Sequence, residues 1–290
     1  SRVHTETGLD DGRVPRVSQY DSGAPYRNPS LSVMSTAHRH TYLRARTQKQ
    51  SLAYHSKSSS KKVAIADTSV MNLQRSQQQV DAINSTVGRD KVLAYTANPV
   101  LTGFTLPKLL WVRDHEPALY AKVRHVLLPK DYVRYKLSGA YVADVADGSG
   151  FGLMDIGKRQ WSDEMLAAFD IPHAWLPQLY ETTAISAYVN EEGSQATGLK
   201  VGTPIVGGAG DQPAAGVGNG IVNPNQVSLT VGTSGVAFAF SEKYNPEPDG
   251  RLHHFCHTPG AWMYMGVMLS AAGGLRWLHD ELMPNASYDQ

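Results

Sequence analysis

A single carboxylate stands among glycines and alanines in the stretch GGAGDQPAAGVGNG, residues 207–220. This acid, Asp211, follows a short apolar run, Pro204–Val206, that is typical of a strand, and it precedes a predicted helix over residues 212–217. A helix N-terminus stabilises a charged carboxylate by about 0.3–1 kcal/mol, and glycines let a ligand approach the backbone. Asp211 could therefore act as a general base on a substrate hydroxyl, or it could only cap its helix.

A second candidate lies about twenty residues downstream, in the tetrapeptide GTSG at residues 232–235. The alternating segments at residues 227–231 and 236–240 predict two strands joined there as a hairpin. Backbone N–H groups and the hydroxyls of Thr233 and Ser234 can bind phosphate oxygens without a lysine, although an ordinary tight turn is the alternative. The sequence around these glycines matches neither a Walker A loop nor G-x-G-x-x-G. Together, a base and a phosphate-binding turn indicate phosphoryl transfer to an alcohol.

The overall composition is that of a globular protein. Of the 290 residues, 41% are hydrophobic and 18% are charged, and the net charge of +1 gives no reason to expect binding to nucleic acid or a membrane. No apolar run reaches the ~20 residues that span a bilayer, and the N-terminus lacks an apolar signal core. The single cysteine excludes an internal disulfide and fits a reducing compartment. The sequence therefore predicts a soluble, cytoplasmic protein.

Composition changes near residue 74. Residues 1–74 contain 11 Lys and Arg against 5 Asp and Glu, together with 12 Ser, and hold none of the six Phe or five Trp. We interpret this segment as an atypical, basic, poorly ordered tail, with an anion-binding arm as the alternative. From Arg75 onward the pattern is that of a well-ordered α/β protein.

Several patterned segments predict the elements that position the two candidates. The predicted helices are residues 107–115, residues 131–139 ending at Gly139, and residues 162–169 with Ser162 as N-cap. Residues 262–268 predict a strand. The last predicted helix starts at Ser270 as its cap and places Leu275, Leu278 and Leu282 on one face.

Two other groups of residues suggest metal binding, but we prefer a structural interpretation of both. The first is the run His253, His254, Cys256 and His257, where strand alternation would send the side chains to opposite faces. The second is Asp144, Asp147 and Asp155, whose spacing does not match an EF-hand loop and which we interpret as loop caps.

Five segments together resemble the FGGY family of carbohydrate kinases, and within it the xylulokinases. They are GFTLPKLLWVRDH, LLPKDYVRYKLSG, GGAGDQPAAGVGNGIV, SLTVGTSGVAFA and HFCH. The resemblance runs from about Arg75 to the end. It implies an α/β fold of two actin-like, ribonuclease H-like ATPase domains with a cleft between them, both incomplete here. Residues 75–206 would belong to the N-terminal, sugar-binding domain, and residues 207–290 to the interdomain catalytic segment and the start of the nucleotide-binding domain.

The resemblance also implies an activity, the ATP-dependent phosphorylation of D-xylulose to D-xylulose 5-phosphate, with Mg²⁺ bridging the phosphates. Asp211 would deprotonate the primary hydroxyl of the sugar, and Asp211 and Gln212 would contact the sugar. The residues implied at the nucleotide are Gly232, Thr233, Ser234 and Gly273. No residue is implied as a metal ligand, and the family makes a homodimer a candidate assembly.

Besides the sugar-contacting Gln-Met-His-Gly segment, two features of the family are missing from the sequence. One is the opening Asp-x-Gly-Thr type phosphate loop, since residues 61–70 (KKVAIADTSV) lack its glycine. The other is the adenosine-binding glycine motif. We therefore expect little or no kinase turnover from the chain as given, because one phosphate hairpin alone neutralises less charge. The alternatives are a non-catalytic fragment that at most binds sugar or nucleotide weakly, and a kinase for another ketose or polyol.

Overall fold

Helices and strands both contribute to residues 75–288, the part of the chain that this computed structural model describes. In that part the helices are α1 (Gln77–Val87), α2 (Arg89–Thr96), α3 (Thr105–His115), α4 (Pro117–Tyr120), α5 (Pro129–Ser138), α6 (Val145–Gly148), α7 (Asp163–Ala168), α8 (Glu191–Thr197), α9 (Asp211–Gly218) and α10 (Ala272–Leu282). The interpretation of residues 1–74 as a poorly ordered tail lies outside the described residues.

The described strands form one four-stranded sheet and three two-stranded pairs. They are β1 (Val142–Asp144), β2 (Met154–Asp155), β3 (Gln160–Trp161), β4 (Gln178–Tyr180), β5 (Ile185–Tyr188), β6 (Pro204–Val206), β7 (Val227–Val231), β8 (Gly235–Ser241), β9 (His253–Cys256) and β10 (Trp262–Met268). The larger sheet has the order β7-β8-β10-β9 and is antiparallel throughout. β1 and β4 pair in parallel, whereas β2–β3 and β5–β6 are antiparallel. The predicted α/β class is therefore confirmed.

One hydrophobic core lies under the first helices and the loops that follow them. Ile83 of α1, Leu106 of α3 and Phe151 are fully buried within it. Cys256 of β9 belongs to the same core, so the β9 edge of the four-stranded sheet packs on the first helices. Burial raises the pKa of the Cys256 thiol to about 11, which is typical of a structural rather than a reactive cysteine.

Two predicted helix ends are confirmed by their geometry. α5 ends at Gly139, which adopts the left-handed conformation (φ 76°) that glycine accommodates without strain. α7 begins after Ser162, whose hydroxyl accepts a hydrogen bond from the Met165 N–H at 3.3 Å. Local sequence alone determines both ends.

The last helix, α10, presents its apolar face to solvent among the described residues. Leu275, Leu278 and Leu282 share that face as predicted, but they are 57%, 40% and 64% exposed. Trp277 on the same helix is 61% exposed. Within residues 75–288, no helix is both long and apolar enough to cross a membrane.

Candidate functional site

Asp211 lies where the sequence predicted it, at the start of a helix. β6 ends at Val206, a glycine-rich loop follows, and α9 begins with Asp211 itself. Gly210 occupies the N-cap position in an extended conformation (φ −61°, ψ 168°), so Asp211 is not the cap residue. Its side chain is exposed, and Oδ1 accepts a hydrogen bond from the Gln212 N–H at 2.8 Å. Because Oδ2 has no partner among the described residues, one carboxylate oxygen is free to meet a substrate.

The loop that precedes Asp211 is held tightly against other segments of the same chain. The Gly207 N–H donates to the Ala184 carbonyl at 2.8 Å, and the Arg134 guanidinium donates to the Gly207 carbonyl. A Cβ atom built on Gly207 would lie only 2.4 Å from the Glu181 carbonyl oxygen. Glycine is therefore required at position 207 because a neighbouring backbone occupies the space that any side chain would need.

Five charged residues, which we call the Lys130 cluster, lie beside this loop: Lys130, Asp131, Arg134, Asp144 and Asp147. Lys130 Nζ lies 3.0 Å from Asp131 Oδ1 and 3.7 Å from Asp147 Oδ2, and it also contacts Asp144 Oδ2. Arg134 Nη1 lies 3.3 Å from Asp131 Oδ1. Since the side chains of Asp131 and Asp144 are fully buried, the two cations offset charge that would otherwise be costly to bury.

The interpretation of these acids as loop caps is confirmed for Asp144 and Asp155. Asp144 Oδ1 accepts hydrogen bonds from the Ala146 and Asp147 N–H groups at 3.0 and 2.9 Å, which caps α6. Asp155 Oδ1 accepts from the Lys158 N–H at 2.9 Å. In residues 75–288, no group of three or more His, Cys, Asp or Glu side chains is arranged to hold a metal ion.

Asp147, which the sequence analysis interpreted only as a loop cap, lies beside the candidate site. A Cβ atom built on Gly210 would lie 3.1 Å from Asp147 Oδ1, so this carboxyl lies next to the residue just before Asp211. Burial raises the pKa of Asp147 to about 7; Lys130 opposes the rise, and the charges of Asp144, Asp131 and Asp211 add to it. The only signal in the sequence was an acid three residues after Asp144, which by itself predicted no more than a cap.

The raised pKa of Asp147 predicts a pH dependence of stability. The folded chain keeps a proton on this carboxyl that the unfolded chain releases above its usual pKa of 3.8. The stabilising contribution is therefore fully present below about pH 4 and is lost as the pH rises through about 7. Asp147→Asn should remove this pH dependence, so the stability of the variant relative to the parent should rise from about pH 4 to about pH 7 and stay level above it, measured by urea unfolding. A constant difference across that range would contradict the prediction.

The phosphate-turn candidate is a hairpin, as predicted. β7 and β8 pair in antiparallel register with Val231 opposite Gly235. Gly235 belongs to β8, so the turn consists of the three residues 232–234 rather than the four that the sequence suggested. Among the described residues, the N–H groups and hydroxyls of Thr233 and Ser234 have no hydrogen-bond partner. These donors are free for an anionic ligand.

The hairpin turn packs on the start of α10 through its backbone. The Thr233 carbonyl accepts hydrogen bonds from the Ala271 and Gly273 N–H groups at 2.8 and 3.2 Å, and the Gly232 carbonyl accepts from the Ala272 N–H at 3.0 Å. The prediction of Ser270 as N-cap is wrong, because Ala271 occupies that position without a side-chain bond. The turn carbonyls satisfy the first N–H groups of α10 instead. The structure thus brings Gly273 to the hairpin, and its role at the nucleotide stays a prediction.

The two halves of the site are joined through one glycine and one phenylalanine. Gly216 lies on α9, and a Cβ atom built on it would lie 2.7 Å from Phe238 Cζ of β8. Phe238 is 2% exposed and packs edge-on against His257 with ring centroids 5.1 Å apart. The helix that carries Asp211 therefore packs directly on the strand that leads from the hairpin turn.

Gly273→Ala should test the contact between α10 and the hairpin. The new methyl group would lie 2.9 Å from the Thr233 carbonyl oxygen, so the turn must move away from the helix. Overpacking of this kind costs about 1–3 kcal/mol, and we expect roughly tenfold weaker ATP binding by calorimetry. Gly274→Ala is the control, since its Cβ would meet only the Ser270 side chain, at 3.2 Å. Equal ATP affinity in the two variants would contradict a role of this contact in nucleotide binding.

The histidine run at the other edge of the sheet has structural contacts. The Asn98 side chain binds the backbone of His254 at both ends, at 2.9 Å to its N–H and 2.9 Å to its carbonyl. Burial lowers the pKa of His254 to about 4, so its imidazole is neutral at neutral pH. These contacts join β9 to the loop after α2.

Relatives of the chain are found by sequence. The xylulose kinase of Escherichia coli (strain K12) is 42% identical over 204 residues, which cover 70% of this chain and 42% of that protein. The xylulose kinase of Lactococcus lactis subsp. lactis (strain IL1403) is 36% identical over 217 residues, which cover 74% of this chain and 43% of that protein. The chain thus spans about two fifths of the length of these curated relatives.

Solved structures and a family profile agree with these relatives. A xyloylose kinase from Brucella ovis superposes with a TM-score of 0.68 at 31% identity, covering 91% of this chain and 56% of that chain. A xylulose kinase from Rhodospirillum rubrum gives a TM-score of 0.68 at 29% identity over 72% of this chain and 43% of that chain. These neighbours confirm the actin-like, ribonuclease H-like fold class. Residues 47–218, more than half of the chain, match the N-terminal domain of the FGGY family of carbohydrate kinases, and the chain therefore belongs to that family.

Proposed function

We propose that the chain is part of an ATP-dependent sugar kinase that phosphorylates D-xylulose to D-xylulose 5-phosphate, with Asp211 as the general base. The observation that carries the proposal is the exposed Asp211 carboxylate at the start of α9, on a helix that packs on the strand leaving the hairpin turn. The relatives named xylulose kinase support the choice of sugar.

The chemistry needs a proton acceptor next to the attacking alcohol. The primary hydroxyl oxygen of the sugar forms a bond to the γ-phosphorus of ATP, its proton passes to the Asp211 carboxylate, and the bond to the β,γ-bridging oxygen breaks to release ADP. An ionised and accessible carboxylate in hydrogen-bond reach suits this role. Gln212 is half-buried beside Asp211, and its side-chain amide has no partner among the described residues, so it is available to bind a sugar hydroxyl.

The phosphates need donors that neutralise charge. We assign this role to the free N–H groups and hydroxyls of Thr233 and Ser234, with Gly232 and Gly273 allowing close approach of the backbone. Magnesium bound to the ATP phosphates would neutralise further charge. A cytoplasmic location and a homodimer stay predictions from the sequence.

Two alternatives remain in the proposal. The first alternative is a kinase that acts on another ketose or polyol as the acceptor. The second alternative is a non-catalytic role in which the chain binds its ligand with little or no turnover.

The test is transfer of radiolabelled γ-phosphate from ATP to D-xylulose, compared with D-gluconate and glycerol, with binding of each sugar measured in parallel. We expect D-xylulose to be the preferred acceptor. Sugar binding without transfer would support the non-catalytic alternative. Absence of both transfer and D-xylulose binding would reject a xylulose kinase function for this chain.

A further inference from the structure

A second carboxylate, Asp147, lies beside the residue that caps the helix of the candidate base. We infer that Asp147 is a positioning residue for Asp211: it fixes the start of α9 through Gly210 and places a titratable charge next to the base. The effect on catalysis rests on the proposed function, whereas the position of Asp147 next to Gly210 is a property of the fold.

The geometry connects the Lys130 cluster to both ends of the glycine-rich loop. At one end, the Arg134 guanidinium donates to the Gly207 carbonyl. At the other end, Asp147 Oδ1 lies next to Gly210, since a Cβ atom added there would be 3.1 Å from it. Gly210 also accepts the Ala214 N–H at 3.1 Å, which is the first backbone bond of α9. Displacement of Asp147 should therefore loosen the helix end that carries Asp211.

Asp147 itself is held by two neighbouring side chains, Asp144 and Lys130. Its backbone N–H donates to Asp144 Oδ1 at 2.9 Å, and its Oδ2 lies 3.7 Å from Lys130 Nζ. The side chain keeps 27% of its surface exposed, on a helix of one turn. The carboxyl is therefore held in place by its neighbours and still reaches the edge of the site.

The charges around Asp147 make it sensitive to the state of the base. The groups that face it are Lys130 and Asp131 from α5, Asp144 from β1 and Asp211 from α9. Burial is the main cause that raises the pKa of Asp147 to about 7. The three like charges raise the pKa further, and the one cation, Lys130, lowers it. At neutral pH the group is near its midpoint, and its charge changes when a neighbouring charge is added or removed.

The first test follows the carboxyl carbons of the aspartates by NMR in the full chain, with the Asp147 signal identified by its loss in Asp147→Asn. We expect a midpoint for Asp147 near pH 7, and a lower midpoint in Asp211→Asn, because a like charge is gone. Gly210→Ala should move the midpoint as well, whereas Gly218→Ala should not, since a Cβ there meets open space. An Asp147 midpoint near pH 4, or one that is the same in the parent and in Asp211→Asn, would overturn the inference.

The second test measures amide exchange at Ala214, whose N–H closes the first turn of α9. We expect Asp147→Asn to speed this exchange several-fold, whereas Asp163→Asn, a change at the start of α7, should leave it unchanged. Equal exchange in the parent and Asp147→Asn would overturn the positioning role. Addition of D-xylulose separates the two proposals. If the Asp147 midpoint responds to the loss of Asp211 but D-xylulose does not bind, the proposed function alone is rejected. If D-xylulose binds but the Asp147 midpoint does not respond to the loss of Asp211, this inference alone is rejected.

Discussion

Replacing Asp211 by alanine is expected to lower phosphate transfer to D-xylulose by about 10²–10⁴-fold while the affinity for ATP is kept. The carboxylate is exposed, its only hydrogen bond among the described residues is with the adjacent Gln212 N–H, and no packed side chain depends on it. Loss of the group should therefore remove a proton acceptor without removing much structure. Single-turnover phosphate transfer and ATP calorimetry measure the two effects separately.

The matched control is Asp163→Ala. Asp163 is also the exposed first residue of a helix, α7, so both variants lose the same favourable interaction with a helix N-terminus, about 0.3–1 kcal/mol. If Asp211 only stabilises its helix, the two variants should behave alike, which would contradict its role as the base. If the parent chain has no turnover to lose, the non-catalytic alternative gains support.

Gly207→Ala is expected to destabilise the fold strongly. Its new methyl group would lie 2.4 Å from the Glu181 carbonyl oxygen, and Glu181 cannot easily move, because Arg159 binds both of its carboxylate oxygens at 2.7 and 2.9 Å. The loop before Asp211 must shift instead and strain its contact with Arg134. We expect a loss of about 2–3 kcal/mol, seen as a fall of roughly 5–10 °C in Tm by calorimetry.

Gly218→Ala is the control for this substitution. Gly218 ends α9, and a Cβ atom built there meets no other atom within 4 Å, so its stability should be unchanged or slightly higher. A Gly207→Ala chain as stable as its parent would show that the loop is not held against Glu181. The account of the glycines around Asp211 would then be wrong.

Local patterns predicted much of what positions the site. The strand before Asp211, the helix after it, the hairpin at Thr233 and the cap at Ser162 depend on neighbouring residues in the sequence, and all four are found. The cap at Ser270 was wrong for a tertiary reason, because the hairpin carbonyls bind the first N–H groups of α10 in place of a side chain.

The role of Asp147 could not be predicted for a similar reason. Its surroundings come from segments far apart in the chain, with Lys130 before it and Gly210 some sixty residues after it. A short helix capped by Asp144 determines where the carboxyl lies, and only the folded chain brings it near Asp211. The resemblance to the family supplied the fold class, which composition alone left at α/β.

A structure of the chain with bound D-xylulose and a non-hydrolysable ATP analogue tests the central claim most directly. The account predicts a carboxylate oxygen of Asp211 within about 3 Å of the primary hydroxyl of the sugar, and the γ-phosphate on the donors of residues 232–234. A sugar bound away from Asp211, or phosphates bound away from the hairpin turn, would contradict it.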